Sequence, residues 1–228
     1  MQRLVLFAKR PRLGQVKTRL VPPLRPEQAL ELYRAFLDDQ IRFLRSFRDR
    51  CDVELCLDGP WTADAALRRS VGDLRPTLQG PGDLGRRMLD AVIQASQDGS
   101  RATVLIGADA PTLPASSVVE AFDELRRGAP VVIAPAADGG FVLIGLGRPE
   151  PTLFHDVPWG RPEVFEVVLE RARAAGIDLR QLQPWYDIDD GAGLRRLREE
   201  LSQPMGARRA PATARAVARL DSSDPPVL

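Results

Sequence analysis

Four short apolar runs constrain the fold of this chain more than any other feature of its sequence. They lie at residues 3–8, 102–107, 130–135 and 141–146. Each is nearly continuous and lacks the polar–apolar alternation of a strand with one solvated face. Such runs predict β-strands that are covered on both faces, as in a parallel sheet.

Amphipathic segments with apolar residues at helical spacing separate these runs. The segments predicted as helices are 26–47, 62–71, 83–98, 115–127, 162–175 and one beginning near Asp190. Two further strands are expected at 52–57 and 179–183. The alternation of strands and helices predicts an α/β fold, with a doubly wound, mostly parallel sheet and helices on both faces.

The end of the chain differs in composition from the rest. Residues 1–202 contain no internal linker and are predicted to form a single catalytic domain. From Gln203 onward the sequence is rich in Ala, Arg, Pro and Ser. We expect residues 203–228 to be a flexible or docking extension with one helix at about 211–220.

The composition argues against several classes of function. The 32 Lys and Arg nearly balance the 31 Asp and Glu, so a nucleic-acid partner is not expected. No run approaches the ~18 apolar residues of a membrane span. Residues 4–8 are too short for the core of a signal peptide, and we therefore expect a cytoplasmic protein.

The chain has too few cysteines and histidines for a zinc site, namely Cys51, Cys56 and His155. Any metal would be held by carboxylates, which favours Mg²⁺ or Mn²⁺.

The loop after the first predicted strand contains both lysines of the chain. In an open α/β sheet, ligands bind beyond the carboxyl ends of the strands. Lys9, Lys17 and Arg19 surround Gly14 in this loop, and cations beside a flexible glycine suit a polyphosphate. The spacing is not that of a P-loop, in which glycine directly precedes lysine. We favour phosphate binding over the alternative of a solvated basic loop.

Three aspartates are candidate metal ligands. Asp109 directly follows the strand at 102–107, where a carboxylate can hold Mg²⁺ together with substrate phosphates. The alternative for Asp109 is a cap on the next helix. Asp187 and Asp189 alternate in an extended stretch and therefore point the same way. Two such carboxylates repel unless a cation or a proton lies between them, although a solvated acidic turn fits them equally well.

A short connection, Asp138, Gly139 and Gly140, joins the strands at 130–135 and 141–146. Asp-Gly is a strong hairpin signal, and taken alone this motif fits an ordinary turn better than a binding site. The two glycines would equally let the backbone approach a sugar or a base closely.

These motifs, in this order, resemble those of a known family. The pattern is Lys-x-Pro-x-x-Gly-x-x-Lys-Thr-Arg-Leu, then Gln-Gly-x-Asp-Leu-Gly-x-Arg-Met, Gly-x-Asp-x-Pro, Pro-x-x-Asp-Gly-Gly and Asp-x-Asp. In the second block Gln79 and Gly80 match, but Pro81-Gly82 lies between Gly80 and Asp83, so the block is aligned on Gly82-Asp83-Leu84-Gly85. The matching residues are Lys9, Pro11, Gly14, Lys17, Thr18, Arg19, Leu20, Gly82, Asp83, Leu84, Gly85, Arg87, Met88, Gly107, Asp109, Pro111, Pro135, Asp138, Gly139, Gly140, Asp187 and Asp189. The set is similar to the bacterial GT-A-type glycosyltransferase-like family, some members of which are assigned to arsenosugar biosynthesis. Its relatives include the guanylyltransferases for 2-phospholactate and molybdenum cofactor.

The resemblance covers about residues 1–200 and implies a GT-A, nucleotide-diphospho-sugar transferase-like fold. In it, Lys9, Lys17 and Arg19 would hold a pyrophosphate, and Lys17 would also act in catalysis. The other positions implied to bind the nucleotide are Gly14, Asp83, Gly85, Arg87, Gly139 and Gly140. Those implied to hold Mg²⁺ or Mn²⁺ are Asp109, Asp187 and Asp189.

The resemblance also implies an acceptor side of the site. Asp138 would face the acceptor, as general base if the anomeric centre inverts. A loop with His155 and Trp159 would cover the acceptor, although a packing role is the more common one for a tryptophan such as Trp159. The tyrosine that usually follows Asp-Gly-Gly in the family is Phe141 here, so no hydroxyl is available at that place.

The expected function is a metal-dependent glycosyltransferase with a nucleotide-diphosphate-sugar donor and a small-molecule acceptor. The first alternative is a nucleotidyltransferase that joins an NTP to a phosphorylated acceptor and releases pyrophosphate. The second alternative is a nucleotide-binding protein without catalytic activity.

Overall fold

The computed structural model describes residues 1–223, which are organised around a seven-stranded sheet. The strands are β1 (Gln2–Ala8), β2 (Asp52–Leu57), β3 (Thr77–Leu78), β4 (Ala102–Gly107), β5 (Val131–Pro135), β6 (Phe141–Leu146) and β7 (Leu179–Gln181). Their order is β3-β2-β1-β4-β6-β5-β7. Only β6 runs antiparallel to its neighbours among these strands of residues 1–223, which confirms the predicted mostly parallel α/β sheet.

Helices cover both faces of the sheet, as predicted. They are α1 (Pro26–Arg45), α2 (Ala65–Val71), α3 (Leu84–Gln97), α4 (Ala115–Arg126), α5 (Val164–Ala174), α6 (Gly191–Ser202), α7 (Pro204–Arg209) and α8 (Pro211–Ser223). Successive side chains of a strand point to opposite faces. Accordingly, Leu4 and Leu6 pack with α1, α4, α6 and α8, whereas Val5 and Phe7 pack with α3 and α5.

Several predicted boundaries differ from the structure by two or three residues, and β3 and α7 were not predicted. The helix expected from residue 62 begins at Ala65, because the Asp64 side chain accepts hydrogen bonds from the amides of Ala66 and Leu67 and caps it. β3 was not predicted, since it is only two exposed residues long and has no apolar pattern. β7 ends at Gln181, two residues before the predicted end.

The tail expected to be flexible or docking is helical as far as it is described. α8 packs on α1 and contributes Val217 and Leu220 to the core. Asp39 of α1, which is buried, accepts hydrogen bonds from the amides of Ala212 (3.1 Å) and Thr213 (2.7 Å) at the start of α8. These amides have no partner within their own helix, so the carboxylate stabilises the docked position. Residues 224–228 of the predicted extension lie outside the described residues.

The topology directs several polar loops to one edge of the sheet. β1 and β4 are neighbours in the middle of the sheet, and the chain leaves them toward opposite sides. The crevice beyond the carboxyl ends of such strands is where α/β folds bind ligands. Because β6 is antiparallel, its first residues and the preceding turn lie at this same edge. Within residues 1–223, no helix is long and apolar enough to cross a membrane.

Candidate functional site

A cleft of about 640 Å³ opens at the carboxyl ends of β1 and β4. Pockets that hold small organic ligands and cofactors commonly have about 300–1,000 Å³, so a nucleotide-sized ligand fits the space. The cleft brings together most of the charged residues predicted from sequence. Those lining it are Lys9, Lys17, Arg19, Arg87, Asp109, Asp138, Asp187 and Asp189, with Gly140 and Trp159.

Lys17 lies at the centre of this charge distribution. Its side chain is only 3% exposed, and its ammonium forms ion pairs with Asp109 and with Asp189, the latter at 2.8 Å. Burial alone would lower the pKa of Lys17, but the two carboxylates outweigh it and leave the pKa raised. Lys17 also has φ +51°, a left-handed backbone conformation that is uncommon for a residue with a side chain. The lysine expected to hold pyrophosphate therefore neutralises two of the predicted metal ligands in this structure.

Three carboxylates form the group best arranged for a metal ion. Asp138, Asp187 and Asp189, here called the acidic triad, each place one oxygen within 4.8 Å of the others. Asp138 is exposed, and its Oδ1 accepts a hydrogen bond from the Gly140 amide at 2.9 Å. The expected set contained Asp109 in place of Asp138. The observed group differs from the expected one because Asp109 forms an ion pair with Lys17. Asp138, in the turn between β5 and β6, lies close to Asp187 instead.

The electrostatics of the acidic triad fit a divalent cation. Burial, followed by the negative charges of Asp138 and Asp189, raises the pKa of Asp187 to about 7. Burial would also raise the pKa of Asp189, but Lys17 outweighs it and the pKa is lowered. A bound cation would relieve the repulsion that Asp187 experiences, and carboxylate oxygens are preferred ligands of Mg²⁺ and Mn²⁺.

Backbone hydrogen bonds bring the segment with Asp187 and Asp189 across the sheet edge. The Trp185 amide donates to the Pro135 carbonyl at 3.0 Å, at the end of β5. Three residues later, the Ile188 amide donates to the Asp109 carbonyl at 2.9 Å, beyond the end of β4. The extended segment therefore runs past the antiparallel strand β6 and delivers its two aspartates to the centre of the cleft.

Lys9 is held at the end of β1 by Tyr33. The Lys9 amide donates to the Tyr33 hydroxyl, which in turn donates to the Lys9 carbonyl, both at 2.9 Å. Burial raises the pKa of Tyr33 well above its ordinary value, so the hydroxyl stays protonated and keeps both bonds. Sequence analysis missed Tyr33 because its spacing on α1 is that of a core residue.

Two glycines that the resemblance places near the nucleotide pack instead against another loop of the protein. A Cβ at Gly85 would lie 2.5 Å from atoms of the Trp159 indole, and a Cβ at Gly139 would collide with the Pro162 carbonyl. The Phe165 amide also donates to the Gly139 carbonyl at 2.9 Å. The loop from Trp159 to Pro162 is thus attached at both ends and crosses one side of the cleft.

Three of the remaining predicted positions, Asp83, Gly14 and His155, do not line the cleft. Asp83 caps α3 by accepting from the Arg86 amide at 2.8 Å and does not line the cleft. Gly14 has φ +69° with open space around it and does not line the cleft. His155 does not line the cleft either. Arg161 does line the cleft but was missed, since nothing in the sequence distinguishes it from the other arginines.

Replacing Gly139 by alanine is expected to destabilise the protein more than the same change at Gly160. Both glycines have left-handed φ values, +89° and +81°, and alanine in such a conformation costs about 1–2 kcal/mol. Only Gly139 would in addition clash with backbone, because nothing lies within 4 Å of a Cβ at Gly160. Scanning calorimetry should show a clearly larger fall in Tm for Gly139→Ala. Equal falls would contradict the role given to the Pro162 contact.

The chain is similar to several solved structures. A protein from Desulfovibrio desulfuricans G20, provisionally named a nucleotide-diphospho-sugar transferase, is 30% identical with a TM-score of 0.86. The match covers 97% of this chain and 95% of that chain. A search of curated proteins found no match.

More distant similarity extends to two synthetases. CMP:2-keto-3-deoxy-manno-octonic acid synthetase, solved with CTP, is 11% identical with a TM-score of 0.55, covering 89% of this chain and 99% of that chain. The 4-diphosphocytidyl-2C-methyl-D-erythritol synthase of Anaerococcus prevotii DSM 20548 is 8% identical with a TM-score of 0.57, with the same coverage. At these identities the similarity shows the fold alone.

The family model that matches is described as an uncharacterized protein conserved in bacteria, DUF2064. It matches residues 45–161, just over half of the chain, and this region contains Arg87, Asp109 and Asp138. The 30% identical relative extends over 97% of the chain and so includes the regions on either side of the family match. The chain belongs to the DUF2064 family.

Proposed function

We propose that the protein is a metal-dependent transferase that takes a nucleotide-diphosphate sugar as donor and passes the sugar to a small-molecule acceptor. The observation that carries this proposal is the convergence of cations and carboxylates in one cleft at the sheet edge. A diphosphate needs cationic partners, and a divalent ion needs carboxylates within reach of the same phosphates. The name of the Desulfovibrio relative supports the donor class.

The residues of the cleft suggest a division of roles. Lys9 and Arg19 lie beside the acidic triad and would hold the diphosphate of the donor. Mg²⁺ or Mn²⁺ at Asp187 and Asp189 would neutralise the charge that develops on the leaving nucleoside diphosphate. Asp138 is the exposed member of the triad, and we assign it the acceptor side, where it would take a proton from the attacking hydroxyl.

Lys17 would fix the carboxylates of this arrangement. Its ammonium holds Asp109 and Asp189 together at the floor of the cleft. Removing one partner of a buried ion pair leaves an uncompensated charge, which is strongly unfavourable. Lys17 would therefore act first through these two aspartates, and it lines the same cleft as the phosphate-binding residues.

A second candidate is nucleotidyl transfer from an NTP, with release of pyrophosphate. It is favoured by the two distant structural relatives, which are named as synthetases of cytidylyl compounds and one of which was solved with CTP. The same cleft would serve either reaction, because both place a polyphosphate beside a divalent ion. The two reactions differ in the leaving group, which is a nucleoside diphosphate in one and pyrophosphate in the other.

Isothermal titration with UDP- and GDP-sugars and with CTP and GTP, each with and without Mn²⁺, tests the proposal. We expect at least one nucleotide sugar to bind in a Mn²⁺-dependent way, and Asp189→Asn to abolish that dependence. Binding of a nucleoside triphosphate but of no nucleotide sugar would favour the second candidate. Failure of every nucleotide to bind the folded protein would contradict both.

A further inference from the structure

The segment that carries Asp187 and Asp189 has few backbone attachments. Between the hydrogen bonds of Trp185 and Ile188 described above, its position depends on the side chains of Trp185 and Tyr186. Tyr186 is buried, and the two rings pack together with centroids 5.6 Å apart. What holds these two rings therefore contributes to the position of the adjacent aspartates, together with the buried Ile188 and the ion pair of Asp189 with Lys17.

Thr112 joins this segment to the loop that follows β4. Its hydroxyl donates to the Tyr186 hydroxyl at 3.3 Å and accepts from the Trp185 indole at 3.4 Å. Thr112 is fully buried and lies three residues after Asp109. The hydroxyl thus connects the two stretches of chain that supply carboxylates to the cleft.

Glu200 holds Tyr186 from the other side. The Tyr186 hydroxyl donates to Glu200 Oε2, and Arg196 of the same helix places its guanidinium 4.0 Å from the centre of the Tyr186 ring. Hydrogen bonds to an ionised acceptor are about twice as strong as those between neutral groups. The carboxylate of Glu200 is therefore the strongest single attachment of this ring.

The C-terminal tail completes the arrangement through α7. Arg209 forms an ion pair with Glu200 Oε1 at 3.3 Å and lies over the Trp185 ring at 5.7 Å. Gly206 allows α7 to approach, because a Cβ there would collide with the Glu200 carbonyl. One tail residue thus contacts both the aromatic segment and the carboxylate that holds it.

We propose that the docked tail positions the acidic triad, with Glu200 and Tyr186 as the positioning residues that transmit its contact to Asp187 and Asp189. This inference rests on the proposed divalent-cation site and adds the element that orients it. Neither Glu200 nor Tyr186 lines the cleft, so their effect is exerted through the segment 185–189. It gives residues 203–209 a role in the site, although they lie outside the motifs of the family resemblance.

A purely structural role would have a different signature from a positioning role. Loss of an ion pair that only ties helices together lowers stability but leaves ligand geometry unchanged. Loss of a partner that orients metal ligands typically weakens metal affinity 10–100-fold. Arg198 offers a matched control, because it ties α6 to α8 by pairing with Asp221 at 2.8 Å and, within the described part of the chain, forms no ion pair or hydrogen bond with 185–189.

The test measures Mn²⁺ binding to the full-length protein by electron paramagnetic resonance of free Mn²⁺, with Tm recorded for each variant. We expect Arg209→Gln, Glu200→Gln and Tyr186→Phe each to weaken Mn²⁺ binding about tenfold, and Arg198→Gln to change it less than twofold. The double variant of Glu200→Gln and Tyr186→Phe should be no weaker than the worse single variant, since both changes act on the one hydrogen bond between Tyr186 and residue 200.

Three contrary results are distinguishable. If the wild-type protein binds Mn²⁺ and Arg209→Gln or Glu200→Gln binds it equally well, the positioning role is overturned while the metal site stands. If the wild-type protein binds no Mn²⁺, the proposed metal site fails and the positioning role fails with it. A tenfold loss in Arg198→Gln as well would also overturn the proposal, because any loosening of α6 would then have the same effect.

Discussion

Lys17→Arg is expected to weaken nucleotide binding about thirtyfold or more, although the substitution keeps the charge. Disrupting a buried, hydrogen-bonded charge pair costs roughly 2 kcal/mol or more, which corresponds to that factor. The Lys17 ammonium is compact and almost fully buried between Asp109 and Asp189, with the Phe36 ring 5.6 Å away. A planar guanidinium is wider and would push the two carboxylates apart. Isothermal titration with the best-binding nucleotide measures the effect.

Arg12→Lys is the matched control for this change. Arg12 lies in the same loop, is exposed and does not line the cleft, so exchanging its head group should leave nucleotide affinity close to that of the wild-type protein. Lys17→Met removes the charge as well. It should weaken nucleotide binding at least as much as Lys17→Arg, because Asp109 and Asp189 lose the ammonium that holds them. Wild-type nucleotide affinity in Lys17→Arg would contradict the role given to the compact ammonium.

Asp187→Asn is expected to remove a pH dependence of stability that the wild-type protein shows without metal. In the native chain the pKa of Asp187 is raised to about 7, against an ordinary value of 3.8. Between these two values the native state binds a proton that the unfolded state does not. The contribution of Asp187 to stability is therefore largest at low pH and is lost as pH rises through about 7.

Chemical denaturation of both proteins at about pH 5 and about pH 8 measures this difference. The asparagine variant should gain stability relative to wild type as the pH rises. Saturating Mn²⁺ should stabilise only the wild-type protein, because it binds the native carboxylates. A difference in unfolding free energy between the two proteins that does not change with pH would contradict the burial and charge repulsion described for Asp187.

The sheet could be predicted largely from the sequence because its strands are buried on both faces. Continuous apolar runs such as 102–107 and 141–146 have few other stable environments in a chain of this size. The hairpin around Asp138 could also be predicted locally, because Asp-Gly is a typical turn sequence. The start of α6 near Asp190 is likewise a local feature, because the Asp190 side chain caps the helix by accepting from the Ala192 and Gly193 amides. β3 had no such signal, since two exposed residues become a strand only by pairing with β2.

The candidate site could be located but not assembled from the sequence. The rule that ligands bind beyond the carboxyl ends of strands predicted the sheet edge at which Lys9, Lys17, Asp109 and Asp187 lie, because that placement follows from the topology. The pairing of Lys17 with Asp109, and the recruitment of Asp138 to the triad, depend on which side chains meet across the cleft. The same holds for Gly85 and Gly139, whose missing side chains admit another loop of the protein rather than a ligand.

The central claim is that Asp187 and Asp189 of the acidic triad hold a divalent ion beside a nucleotide phosphate. The most direct measurement is a crystal structure after soaking with Mn²⁺ and a panel of nucleotides and nucleotide sugars, with anomalous scattering recorded for manganese. The account predicts a manganese peak bounded by Asp187 and Asp189, with nucleotide phosphates next to it and near Lys9. A nucleotide bound elsewhere, or manganese absent from these carboxylates in a nucleotide-bound crystal, would contradict it.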